Sequence, residues 1–188
     1  MKKAGIIVAV VLLIGAPAAY AQEDIKKAPT CKYCGMDRDK FAYSRVSLEY
    51  EDGTATGVCS LHCAAVGLSM NAEKTPKAIW AADYNTKNLI DAQKASWVVG
   101  GKKPGVMSRR AKWAFEKKED AEKYVKENGG MVAPFDAALK YAFADMYSDL
   151  SMVREKNENK KKKMMMMRKR AMESAPQSKW TNTRPPKN

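Results

Sequence analysis

A single histidine in 188 residues is the first scarcity. It leaves little for general acid–base chemistry. The chain also has no G-x-S-x-G, no H-E-x-x-H and no glycine-rich phosphate loop, so neither a serine hydrolase, a zinc protease nor a nucleotide hydrolase is indicated. Long apolar runs are scarce too. The only one spans Ile6 to Ile14, and nothing after it is long enough to cross a bilayer, which takes about 20 residues. No stable membrane insertion is therefore expected.

That one run has a context. Lys2 and Lys3 precede it, and Ala19-Tyr20-Ala21 follows as a small-x-small cleavage site. Residues 1–21 thus read as a secretory signal peptide, and the protein as exported to the periplasm. Gln22, not cysteine, follows the site, so no lipidated N-terminus is expected. The formal charge of +13 is unevenly spread. Residues 151–188 hold 12 Lys and Arg against 3 Asp and Glu, whereas 22–150 hold 20 against 18. A nearly neutral domain carries a basic tail. Export and this distribution argue against nucleic acid as a partner. The expected organisation is a domain over 22–156, with a core at 29–137 and a C-terminal helix at 138–156. A basic Met/Lys-rich disordered tail then runs over 157–188.

Within the domain, YSRVSLEY alternates apolar and polar residues, and Glu51-Asp52-Gly53 marks a hairpin into a second strand, Thr54 to Cys59. Ser60 is placed to cap a helix to Met70, with Leu61, Ala64, Ala65 and Leu68 at helical spacing. KAIWAADY resumes as a strand. A second round follows: ASWVVG and AKWAF as strands, a helix from Lys117 to Asn128 stopped by Gly129-Gly130, and a short strand from Met131 to Phe135. The fold class is α+β, two ββαβ units in tandem plus a C-terminal helix. Leu139, Phe143, Met146, Leu150 and Val153 form the apolar stripe expected to pack that helix onto the domain.

Four cysteines are what the chain has for chemistry. CKYCGM places Cys31, Cys34 and Met36 within six residues, and Gly35 permits a turn that brings Met36 back towards the cysteines. Thiolate with thioether is a soft donor set that favours Cu(I). In CSLHC, Cys59 and Cys63 are one helical turn apart, so both sulfurs share a face. His62 is either a further ligand or a surface or capping residue. Met107, in the loop PGVMSRR, is either a thioether ligand from the second unit or a packing residue. Met164 to Met167 offer four thioethers among basic neighbours that repel a cation; they are either a transient Cu(I) site or low-complexity tail. A thioredoxin-type redox pair does not fit, because the C-x-x-C precedes the first strand instead of opening a helix after one.

CKYCGM, the FAYSRVSLEYEDG hairpin, GVCSLHC, DYNTKNLIDAQKASWVVGG, PGVM, WAFEKKEDAEKYVKENGG and MVAPFD occur in this order over residues 29–137. That series resembles the NosL family, copper-binding accessory proteins of nitrous oxide reductase assembly. The resemblance implies an α+β fold of two ββαβ units, Cu(I) binding in the periplasm, and delivery to a copper-receiving metalloenzyme or assembly complex. It implies a non-enzymatic role. Carried onto this chain, the family's C-G-M falls on Cys34, Gly35 and Met36, and its later loop methionine on Met107, with Cys31 next in line as a ligand. The chain departs from the family in lacking the lipoprotein cysteine many members carry, and in adding Cys59, Cys63 and the Met/Lys tail.

The competing reading is a structural zinc or disulfide module. Cys31 and Cys34 with Cys59 and Cys63 have spacing suited to a closed four-sulfur zinc site. Two disulfides are the blander form in an oxidising compartment.

Overall fold

The computed structural model describes residues 22–174. The signal-peptide reading of 1–21 and the last part of the tail, 175–188, lie outside the described residues. Among the described residues, no helix is long and apolar enough to cross a membrane.

The elements run α1 (Glu23–Lys27), β1 (Val46–Tyr50), β2 (Ala55–Val58), α2 (Leu61–Met70), β3 (Pro76–Ala82), β4 (Leu89–Asp91), β5 (Ser96–Val99), β6 (Lys112–Phe115), α3 (Lys118–Asn128), β7 (Met131–Ala133) and α4 (Phe135–Glu173). The α+β expectation of two ββαβ units is met in connectivity and in pairing. One sheet has the order β2-β1-β3-β4 and the other β6-β5-β7. In each unit the first strand is central. Its hairpin partner lies on one side and the post-helix strand on the other, all antiparallel. The strand β4, three half-buried residues, extends only the first sheet. Helix α3 ends on Gly129, whose φ of 73° is the left-handed stop expected of glycine.

Burial explains the register. Val46, Leu48, Tyr50 and Val58 from the first hairpin, and Trp97, Val98 and Phe115 from the second unit, are all but inaccessible. Each such aliphatic side chain contributes about 1.5–3 kcal/mol. The units meet through Asp83 and Tyr84. Asp83 bridges to Ala114, and its carboxylate accepts from the backbone N–H of Glu116 at 2.9 Å. The Tyr84 ring lies 5.4 Å from Trp113 and 5.1 Å from Tyr124, and Tyr43 reaches Trp113 at 5.6 Å. Aromatic contacts of this kind add about 0.5–1.5 kcal/mol each beyond burial.

The N-terminal segment is tied down by charge. Arg38 and Arg45 are fully buried. Asp24, on α1, accepts from Arg38 Nη2 at 2.7 Å and Arg45 Nε at 2.8 Å. Arg38 also donates to the carbonyls of Asp24 and Ala28, and Arg45 to those of Ala42 and Lys87. Burial pushes the Arg38 guanidinium below its usual value, with Asp24 opposing.

Helix α4 departs from the sequence reading twice. Its buried residues are Phe135, Ala138, Ala142, Asp149 and Met152, whereas Phe143 and Leu150 are exposed. The expected apolar stripe is therefore met in part: Leu139 and Met146 pack against the core, half-buried, at the margin of the buried face. The alanines let the helix approach closely, and Asp149 is drawn inward by hydrogen-bond partners described below. Nor does order end at residue 156: the helix continues through the Lys/Met segment to Glu173, with every residue from Arg154 onward exposed. Lysine, methionine and arginine are good helix formers. They propagate a helix already nucleated on the domain, so no packing is needed to start it.

Candidate metal centre

The loop carrying the first cysteines is closed by its own backbone. Thr30 bridges to Asp37, the Cys31 N–H donates to the Met36 carbonyl at 2.8 Å, and Gly35 N–H to the Cys31 carbonyl at 2.9 Å. Gly35 has φ of 70°, the left-handed turn that folds Met36 back. Tyr33 pins the loop to α2. Its ring packs where Gly67 has no side chain, and its hydroxyl accepts from Asn71 at 3.2 Å. Lys32 N–H donates to the Gly57 carbonyl of β2.

This docking brings the two cysteine pairs together. Cys59 follows the end of β2, and Cys63 lies in the first turn of α2. The sulfurs of Cys31, Cys34, Cys59 and Cys63 all lie within 4.8 Å of one another. Cys34 is 3.5 Å from Cys59, and Cys59 is 3.7 Å from Cys63. All four are free thiols. Cys31, Cys59 and Cys63 are buried, whereas Cys34 is half-buried.

The thiols share protons unequally. Hydrogen bonds from Cys34, Cys59 and Cys63 hold the Cys31 thiol far below the ordinary cysteine value. Cys34 is lowered as well: its contact with Cys31 opposes this, and bonds from Cys59 and Cys63 outweigh it. Contacts with Cys31 and Cys34 push Cys59 and Cys63 well above the usual thiol range. The four thiols therefore titrate as one coupled group, with the C-x-x-C pair shifted down and the pair behind it shifted up. A soft cation arriving there replaces protons.

Cys34 has a second neighbourhood. Together with Met36, Phe41, Tyr43, Met107 and Met152 it lines a cleft of about 840 Å³, with Lys156 and Lys160 also on the wall. The sequence-predicted set of Cys34, Met36 and Met107 therefore faces one space, although it draws on both units. Met107 has φ of 59°, a left-handed backbone on a non-glycine residue. Such conformations cost of order 1–3 kcal/mol and gather at ligand sites. Met152 escaped the sequence reading because the stripe drawn on α4 excluded it; its i, i+3 spacing from Asp149 is a signal only once Asp149 is known to be buried.

His62 is neither a surface nor a capping residue. It is 3% exposed, and its Nδ1 lies 3.1 Å from Asp149 Oδ2. It does not belong to the four-sulfur group. The other oxygen of Asp149 accepts from the Arg109 N–H at 3.0 Å. Asp149 so joins the start of α2 to the Met107 loop. Burial depresses the His62 pKa, with Asp149 opposing, so the contact at neutral pH is a hydrogen bond from a neutral imidazole. The unfolded histidine takes up its proton at about pH 6.5, and the folded one only at lower pH. Below about pH 6.5 the unfolded state therefore binds more protons, and stability falls with pH at up to about 1.4 kcal/mol per unit. Urea unfolding from about pH 7.5 to 5.5 should show stability falling more steeply towards acid in the wild type than in His62→Asn; equal slopes would refute the assignment.

The family model described as NosL matches residues 22–143. The chain belongs to the NosL family. The match takes in both ββαβ units and stops within α4, so the matched range spans the four cysteines, Met36 and Met107 but not Asp149 or Met152. A solved structure, the copper chaperone NosL from Shewanella denitrificans, is 24% identical, with a TM-score of 0.47, over 57% of this chain and 87% of that one. No curated protein matches the chain.

Proposed function

We propose that this NosL-family protein is a periplasmic Cu(I) carrier that hands its ion to a metalloenzyme or to its assembly machinery, and that it catalyses no reaction of its own. The observation that carries this reading is the position of Cys34: its thiol belongs to a four-sulfur cluster and also faces a cleft lined by Met36 and Met107. Thiolate and thioether are soft donors suited to Cu(I). The closed Cys31–Met36 loop and the left-handed Met107 backbone hold two of those donors on the cleft wall. A site open on one side suits transfer better than storage. The leader-like first 21 residues support export, and the NosL resemblance points to nitrous oxide reductase as the client.

One observation favours a second reading, a structural zinc site. A tetrahedral zinc with about 2.3 Å bonds to sulfur needs edges of about 3.8 Å. The 3.5 and 3.7 Å separations are near that. Zinc, however, makes no use of the thioethers.

Metal analysis of anaerobically purified protein separates the two. Under the carrier reading the protein binds about one Cu(I), competes with a Cu(I)-specific chelator, and loses affinity in Met36→Ala. Zinc that copurifies, withstands mild chelation and is not displaced by Cu(I), together with an unchanged Met36→Ala, would overturn it.

A further inference from the structure

We propose that Met152 is a third thioether donor of the cleft, so that an ion there meets the sulfurs of Cys34, Met36, Met107 and Met152. The segment of α4 from Asp145 to Met152 is the device that brings this donor into place. The inference rests on the Cu(I) reading above and goes beyond it, because these residues lie past the end of the NosL match at residue 143.

Three observations converge. Met152 lines the same cleft as the other three sulfur residues and is 9% exposed, so its side chain is held against the domain and not in solvent. The helix register that presents it is fixed by two carboxylates on the same face. Asp145, Asp149 and Met152 recur at steps of four and three. Asp145 receives Lys112 Nζ at 2.9 Å and Arg110 Nε at 3.4 Å, while Asp149 meets His62 Nδ1 and the Arg109 N–H. Those partners are chain neighbours of the metal-site residues: His62 precedes Cys63, and Arg109 and Arg110 follow Met107 by two and three residues. One helical face thus grips the start of α2 and the Met107 loop and, one turn further on, supplies a sulfur. The third observation is chemical. A site of one thiolate and three thioethers has a single negative charge, matching a monovalent soft cation and offering little to a divalent one.

The test uses protein labelled with ¹³C at the methionine ε-methyl groups and titrated with Ag(I), a diamagnetic monovalent soft ion. Single Met→Leu variants assign the signals. At one equivalent the Met36, Met107 and Met152 methyl signals shift, while those of Met164 to Met167 stay. In parallel, Met152→Leu, which keeps the side-chain volume, should bind Cu(I) about tenfold more weakly against a chelator, with an unchanged thermal melt. A Met152 signal that stays put while Met36 and Met107 shift, or wild-type affinity in Met152→Leu, overturns the proposal and leaves the carrier reading standing. No methyl shift at any methionine, with no Cu(I) retained, overturns the carrier reading itself.

Discussion

Cys34→Ser lowers Cu(I) affinity by at least about a hundredfold, beyond the 10- to 100-fold that follows loss of an outer partner, and leaves the fold intact. A serine hydroxyl is a hard, protonated donor at neutral pH and does not replace a thiolate on a soft ion. Cys34 is the one cysteine of the cluster that is only half-buried and the one that lines the cleft. The oxygen of Cys34→Ser can therefore reach solvent, and the change costs little in packing. Cys63→Ser is the informative contrast. Cys63 is 2% exposed at the start of α2, and a hydroxyl there must find a partner among thiols, so that variant loses stability even without metal. Chelator competition gives the affinities and thermal melts of the metal-free proteins give the stabilities. Cu(I) binding by Cys34→Ser within about threefold of wild type would remove the site from this end of the cluster. Under a structural zinc site the four serine variants would instead lose metal and fold together.

The second large effect is on stability. Asp24→Ala lowers the melting temperature by roughly 10 °C. Asp24 is the carboxylate shared by Arg38 and Arg45, both wholly buried. Removing one partner from a buried ion pair costs about 3–5 kcal/mol, because the remaining charge stays desolvated. For a domain of this size each kcal/mol is worth about 2–4 °C. The carbonyls around both guanidiniums remain, which places the result at the lower end of that range. Glu23→Ala, one residue away and exposed, is the control and should melt within a degree or so of wild type. A drop of less than about 2 °C in Asp24→Ala would mean that α1 is only loosely held. The same network touches the metal centre, since the Arg38 N–H donates to the Pro29 carbonyl and its guanidinium to that of Ala28, just ahead of Cys31. Asp24→Ala is therefore also expected to disturb the C-x-x-C loop.

The parts of the molecule legible in the sequence are those that local chemistry decides. Alternation in VSLEY, the Asp52-Gly53 turn and the double glycine after α3 each act within a few residues, and both ββαβ units follow from them. The chemical character of the site was legible for the same reason, since CKYCGM and CSLHC announce soft donors wherever they fold. What was hidden depends on distant contacts. Cys34 and Cys59 are 25 residues apart, and only the pairing of the loop with β2 and α2 makes them neighbours. Arg38, Arg45 and Asp149 read as solvated charges until their partners are known. Asp149 takes a buried place on α4, so the apolar stripe is only half right: Leu139 and Met146 pack on the core, Phe143 and Leu150 face out, and Met152 went unread. The Lys/Met segment misled differently: its composition suits either a solvated coil or the outward end of a helix, and only the anchored first half of α4 decides between them.

The accessibility of the four sulfurs sets the manners of exchange. Cys31, Cys59 and Cys63 are 2% exposed or less, and of the four cysteines only Cys34 lines the methionine cleft. An ion held on Cys34 and the cleft methionines is met from the open side of that cleft. Departure is then associative: the recipient attaches its own donor to the ion there before the Cys34 bond gives way. The turnover of such a carrier would rise with the concentration of its recipient, and in the recipient's absence the cargo would stay aboard.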